Sequence, residues 1–224
     1  MDIKASKVTK SFMRESGQTN FFYAVRETEL EIKSGQFIEI NGRSGSGKST
    51  LLNMLAGILT PTEGKVFAGE TDLYALSDEE RSVFRNENIG VIPQGQTGLS
   101  SLTVMENVLL PCRMYGRPDD LKRAEELLRR VGIWHLRDVY PNELSGGALR
   151  RMAIARALIN SPSIILADEP TGDLDDENTG LVLTLLKELA EVGASVLVVT
   201  HDHDVDNYAH MIYHMDAGTL KCNT

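Results

Sequence analysis

The segment Gly42-Arg43-Ser44-Gly45-Ser46-Gly47-Lys48-Ser49-Thr50 sets glycines, a lysine and adjacent hydroxyls at the spacing G-x-x-x-x-G-K-[ST]. The chemistry of that spacing is phosphate binding. Glycines at 42, 45 and 47 allow backbone angles that a side chain forbids, so successive N–H groups can turn inward around an anion. Lys48 adds a point charge and Ser49 offers a hydroxyl to Mg2+. A helix opening at Ser49-Thr50-Leu51-Leu52 directs its positive end at the same anion. A nucleoside triphosphate is the implied ligand.

Further along, Ile164-Ile165-Leu166-Ala167-Asp168-Glu169 is an apolar strand that ends in two adjacent carboxylates. Asp168 can hold Mg2+ directly or through water, completing the metal site begun by Ser49. Glu169, past the strand's end, can face the terminal phosphate and orient or deprotonate the attacking water, which makes it the candidate general base. Such a pair alone is usually a solvated loop end, and the glycine loop gives it meaning. Leu144-Ser145-Gly146-Gly147-Ala148, followed by the run Leu149 to Leu158, supplies a further anion site: Ser145 can cap a helix while the N–H groups of Gly146 and Gly147 stay open.

The elements that must position these residues follow from periodicity. Short β-rich segments lie at Ile3 to Phe12, Phe22 to Ile32, Phe37 to Ile40 and Lys65 to Phe67. A polar helix is expected from Ser77 to Arg85, with Ser77 and Glu80 spaced as a capping box, and a strand over Ile89 to Pro93. From Gln94 to about Asn160 the pattern is helical, and Leu121, Ala124, Leu128 and Val131 form an apolar stripe read as core. Strand Ile164 to Ala167, a helix from about Asn178 to Glu191, strand Val196 to Val199 and a final pair between Met211 and Leu220 complete the chain. Apolar runs linked by helices indicate a buried, mainly parallel sheet.

Composition sets limits on function. The 224 residues suit one domain with a sizeable core, and the net charge of −9 leaves no electrostatic footprint for nucleic acid. Cys112 and Cys222 are too few for a disulfide framework or a four-ligand zinc site, so a reducing cytoplasm is expected. No apolar stretch approaches the roughly 20 residues that cross a bilayer, and Met1-Asp2-Ile3-Lys4 does not begin a signal peptide. His201-Asp202-His203-Asp204, with His210 and His214, departs from the H-x-H-x-D-H pattern of metal hydrolases at Val205 and Asp206, so surface histidines are expected for all but His201.

Taken together, the motifs resemble those of the ATP-binding-cassette (ABC) ATPases, whose LSGGQ signature precedes an arginine-containing helix; here Ala148 stands in place of the glutamine. The resemblance spans almost the whole chain. It implies an α/β P-loop NTPase (RecA-like) core with a mainly parallel sheet, an antiparallel β subdomain and an α-helical signature subdomain. Residues 1–93 and 160–224 would form the core and residues 94–159 the helical part of one nucleotide-binding domain. It also implies that Ser145, Gly146 and Gly147 of one subunit close over the triphosphate on the other's glycine loop, giving a head-to-tail homodimer. Val91-Ile92-Pro93-Gln94 is similar to the Q-loop, in which Gln94 would reach Mg2+ and the attacking water. Thr171-Gly172-Asp173-Leu174-Asp175 is similar to the D-loop, with Asp175 at the position that communicates across the dimer, and His201 matches the switch histidine that donates to the γ-phosphate. Phe12 or Tyr23 would stack on adenine.

The phrases Pro141 to Gly147 and Ala167 to Asp175 resemble ATPase subunits of macrolide-efflux, lipoprotein-release and peptide-antibiotic-resistance transporters. The expected function is therefore an Mg2+-dependent ATPase of exporter or extraction type, held at the inner face of the cell membrane by integral permease subunits that meet it near Gln94 to Arg117. A soluble ABC ATPase of DNA repair or translation is the alternative; coiled coils, zinc modules or tandem cassettes usual in that class are not in this sequence. A P-loop kinase would leave Leu144 to Gly147 unexplained.

Overall fold

Strands made of near-continuous apolar runs need cover on both faces, and the computed structural model, which describes residues 1–13, 21–95 and 98–223, supplies it. The central sheet has the order β10-β9-β3-β8-β7-β6. Its members are β3 (Phe37–Asn41), β6 (Ile89–Ile92), β7 (Ile164–Asp168), β8 (Ser195–Thr200), β9 (Met211–Asp216) and β10 (Thr219–Asn223). All neighbours run parallel except the β9–β10 hairpin. A second, antiparallel sheet pairs β2 (Phe21–Ile32), β1 (Ile3–Met13), β4 (Glu63–Ala68) and β5 (Thr71–Asp72) in that order.

Alternation along the central strands divides the core in two. Ile38, Ile40, Ile164, Leu166, Leu197 and Val199 pack toward α1 (Lys48–Leu55) and the antiparallel sheet. Phe37, Ile165, Ala167, Val196 and Val198 point the other way, toward α3 (Val104–Met114), α4 (Leu121–Arg130), α5 (Gly146–Leu158) and α6 (Asp176–Glu191). At about 1.5–3 kcal/mol per fully buried large side chain, these two layers are the main source of cohesion. The parallel strand order also delivers the C-terminal ends of β3, β7 and β8 to one edge, where the loops after them meet.

The capping box expected at Ser77 is present at the start of α2 (Asp78–Asn88): Ser77 Oγ accepts from the Glu80 N–H at 3.3 Å, and Glu80 Oε2 accepts from the Ser77 N–H at 2.9 Å. One element of the expected stripe is corrected. Ala124, Leu128 and Val131 are buried, but Leu121 is 57% exposed and Leu127 takes its place in the core. Leu121 is the first residue of α4, directly after the Asp120 cap, and helical side chains lean toward the N-terminus, so it reaches past the edge of the packed layer.

Candidate active site

The loop between β3 and α1 wraps as its glycines predict. Gly42 and Gly47 have φ of 148° and 110°. A Cβ on Gly42 would lie 2.2 Å from the Met215 carbonyl oxygen, and one on Gly47 2.1 Å from that of Ala24. Neither position tolerates a side chain, because backbone from β9 and β2 presses on the loop from behind. Gly218 ties these pieces together: its N–H donates to the Ser46 carbonyl at 2.9 Å, and its own carbonyl accepts from the Arg26 N–H at 2.8 Å. Lys48 opens α1, and its buried Nζ donates to the carbonyls of Gly42 at 2.6 Å and Arg43 at 3.2 Å. The ammonium is thereby held over the loop it must serve.

Asp168 ends β7 and is buried, with the Ser49 side chain among the groups that set the proton affinity of its carboxyl. Its Oδ1 has no hydrogen-bond partner. Burial pushes the Asp168 carboxyl up; the Ser49 side chain opposes this, the Glu169 charge adds to it, and Lys48 and Arg150 oppose it. A carboxylate so desolvated, with one oxygen left bare, is a ready ligand for a cation.

Glu169 takes the left-handed conformation, φ 49°, which turns the chain sharply off the strand. Its N–H still bonds Val199 at 2.9 Å. The carboxylate faces the end of β8, where Thr200 Oγ1 donates to Oε2 at 2.9 Å and His201 Nδ1 lies 2.8 Å from Oε1. The His201 ring is otherwise 74% exposed. Both residues line the cleft that contains Lys48, Ser49 and Gln94, a cavity of about 910 Å³.

Aromatic rings from the antiparallel sheet form the far wall of that cleft. Phe12 and Phe22 are direct cross-strand partners with ring centroids 5.7 Å apart and planes inclined by 30°. Tyr23 faces Ser11 in the register, with the Arg26 guanidinium 5.9 Å from its ring centre. Phe12 and Tyr23 thus both border the cavity, as do Phe21, Phe22 and Arg26, which sequence reasoning missed. Their only signal was the aromatic run Phe21-Phe22-Tyr23 at the start of a strand.

Ser145, Gly146 and Gly147 occupy a different cleft of about 410 Å³, shared with Asp173, Asp175 and Asn178. It has no lining residue in common with the first. Ser145 Oγ caps α5 by accepting from the Ala148 N–H at 3.2 Å, and the Ala148 side chain is buried in the helical core. Asp175 caps α6, accepting from the Asn178 N–H at 2.9 Å and Nδ2 at 2.7 Å, and these bonds hold its carboxyl below the usual range. Gln94 is exposed in the loop two residues past the end of β6, and its carbonyl accepts from Arg150 of α5. Two of the other histidines serve locally: His210 Nδ1 accepts from the Phe37 N–H at 2.9 Å, and His214 Nδ1 meets Asn41 Oδ1 at 2.8 Å.

A glycine loop between a parallel strand and a helix, a neighbouring strand ending in Asp-Glu, and a capped Ser-Gly-Gly helix start together define an ATP-binding cassette. The chain belongs to the ABC transporter family, whose model matches residues 25–172, and within it to the ATP-binding, ATP-hydrolysing subunits. It is 44% identical over 200 residues to the lipoprotein-releasing system ATP-binding protein LolD of Saccharophagus degradans, covering 88% of each chain. It is 40% identical over 210 residues to the ABC transporter ATP-binding protein YtrE of Bacillus subtilis, covering 92% of this chain and 91% of that one. Among solved structures, a dimeric form of the cassette MJ0796 superposes with a TM-score of 0.92 at 38% identity, covering 98% of both chains. A dimeric post-hydrolysis state of MJ0796 bound to ADP and Pi gives 0.91 at 37% identity, also covering 98% of both.

Proposed function

We propose that two copies of this chain pair head to tail, each enclosing Mg2+-ATP between its own glycine loop and the Ser145-Gly146-Gly147 helix start of the other, and that closure and reopening drive membrane subunits. The observation that carries this reading is the separation of the two anion-binding helix starts into clefts without a shared residue. One chain cannot bring both to one phosphate, whereas an exchange between two chains can. The dimeric form of the similar cassette MJ0796 supports the pairing of two copies.

Within each site, the amides of Gly42 to Gly47 and the Lys48 ammonium bind the phosphate chain, with Thr50 and the start of α1 behind them. Asp168 and Ser49 fit a divalent cation, given the bare Oδ1, and Gln94 approaches from the loop after β6. Mg2+ there would neutralise charge that develops on the phosphates. Glu169 is the base that accepts a proton from the attacking water, and His201 hydrogen-bonds the γ-phosphate through its free Nε2. Phe12 or Tyr23 stacks on adenine. Asp175 meets the partner across the dimer.

The helical region offers a groove of about 320 Å³ between α2, β6 and α3, with Ile58 and Met114 exposed at its rim. Permease subunits seated there would hold the chain at the cytoplasmic membrane face; none of its described helices is long and apolar enough to cross a bilayer. The names of the LolD relatives, ATP-binding proteins of a lipoprotein-releasing system, favour lipoprotein release. Isolation from gently solubilised membranes tests this: a co-purifying permease is expected, and recovery with ribosomes or DNA and no membrane subunit would contradict it.

A further inference from the structure

Arg150 is a long, charged residue that the site described above does not use, yet it is 4% exposed. It sits one turn into α5, the helix that begins with the Ser145-Gly146-Gly147 anion site. Its guanidinium crosses to the end of β6 and grips two successive carbonyls: Nη1 donates to Pro93 at 2.6 Å and Nη2 to Gln94 at 2.5 Å. Negative charge from Asp173, Asp168 and Glu169 surrounds it. Burying a guanidinium is costly, and burial draws its proton affinity down. Two short charge-assisted bonds in a fixed fork offset that cost only while both carbonyls stay in register with the helix.

We propose that Arg150 is a positioning residue that locks the signature helix to the backbone of Gln94, so that the surface offered to the partner's nucleotide and the glutamine offered to the chain's own nucleotide move as one body. The inference rests on the paired-site reading given under Proposed function. Arg150 touches no reacting atom; it acts through Gln94 on one side and through the start of α5 on the other. Lysine cannot replace it, because one ammonium on a flexible stem lacks the planar fork that spans both carbonyls.

The test is Arg150→Met and Arg150→Lys, each measured for ATP affinity, kcat and KM, and each combined with Glu169→Gln for ATP-induced pairing by sedimentation. Affinity of the single chain for ATP should stay within about twofold, because Lys48 and its loop are untouched, while kcat should fall roughly 10- to 100-fold from a misplaced Gln94. In the Glu169→Gln background the pairing constant should weaken by about tenfold. Should Arg150→Met lose the fold, Arg150→Lys keeps the buried charge and carries the test alone. A folded variant with unchanged kcat and pairing overturns the proposal, as does a parallel loss of ATP affinity and kcat, which would mark a merely structural role. Glu169→Gln alone separates the two readings. If it fails to pair on ATP while Arg150→Lys still loses turnover at constant affinity, the paired site falls and the positioning role stands.

Discussion

His201 Nδ1 lies 2.8 Å from Glu169 Oε1, and Thr200 Oγ1 donates to the other oxygen of the same carboxylate at 2.9 Å. A carboxylate gripped from both sides has a fixed direction, set by the end of β8 and by its own left-handed backbone, φ 49°. Glu169 and a phosphate are both acceptors, so bonding the two at once requires His201 to donate from both ring nitrogens, Nδ1–H to Glu169 and Nε2–H to the phosphate. Glu169→Gln keeps the Thr200 bond and the shape but removes the proton acceptor. ATP affinity should be retained and kcat should fall by about 100- to 10,000-fold, the span typical of general-base loss. His201→Ala should lower kcat at little cost to affinity. Single-turnover hydrolysis beside equilibrium binding checks both, and undiminished turnover in Glu169→Gln would remove Glu169 from its assigned role.

The glycine loop makes a graded expectation. Gly47→Ala meets both a positive φ and a carbonyl oxygen at 2.1 Å, whereas Gly45→Ala meets the positive φ of 78° with nothing within 4 Å. Gly45→Ala should cost about 1 kcal/mol of stability, from backbone strain alone. Gly47→Ala should cost more, roughly 2–4 kcal/mol, and abolish ATP binding because the loop must leave the Ala24 carbonyl. Thermal unfolding and nucleotide titration of the pair would expose equal losses, which this geometry forbids.

A third expectation concerns pH. Glu39 lies in mid-β3 with 0% exposure, and neither its carboxyl oxygens nor Asp206 Oδ1 finds a donor. A proton held between the Glu39 and Asp206 carboxyl groups satisfies an oxygen on each. Burial, then the charge and hydrogen bond of Asp206, push Glu39 from 4.5 to about 7, against weaker pulls from Asn41 and His203. The folded state therefore holds a proton that the unfolded chain has lost, over the window from 4.5 to about 7. Stability should fall as pH rises through that window and remain lower above it. Glu39→Gln can donate to Asp206 without a titrating proton. It should be more stable than the parent at pH 8 by about 1–3 kcal/mol, with the difference shrinking toward pH 5. Urea unfolding at both pH values reads this directly; parallel curves would contradict it.

Much of this architecture was legible in the sequence because its signals are contiguous. Phe37 to Thr50 carries strand, loop and helix start in one stretch, and Ile164 to Glu169 does the same for the carboxylate pair. Residues that act through sheet register were hidden. Phe22 reaches the cleft because it pairs with Phe12 across β1–β2, and the turn at Gly218 reaches it because β9 is added beside β3. Nothing in the sequence singled Arg150 out from the arginine-containing helix after Gly147, since its partners are carbonyls 57 and 56 residues away. Leu121 fitted the stripe by number, but periodicity does not say where a packed layer ends.

The central claim is that each phosphate is enclosed by two chains, and specific ATPase activity measured against protein concentration tests it most directly, with Ser145→Phe run beside the parent. Activity per parent chain should climb with concentration to a plateau, while Ser145→Phe binds ATP normally and stays near baseline at every concentration. A rate per chain that is constant from the most dilute sample upward, and unchanged by Ser145→Phe, would contradict the account.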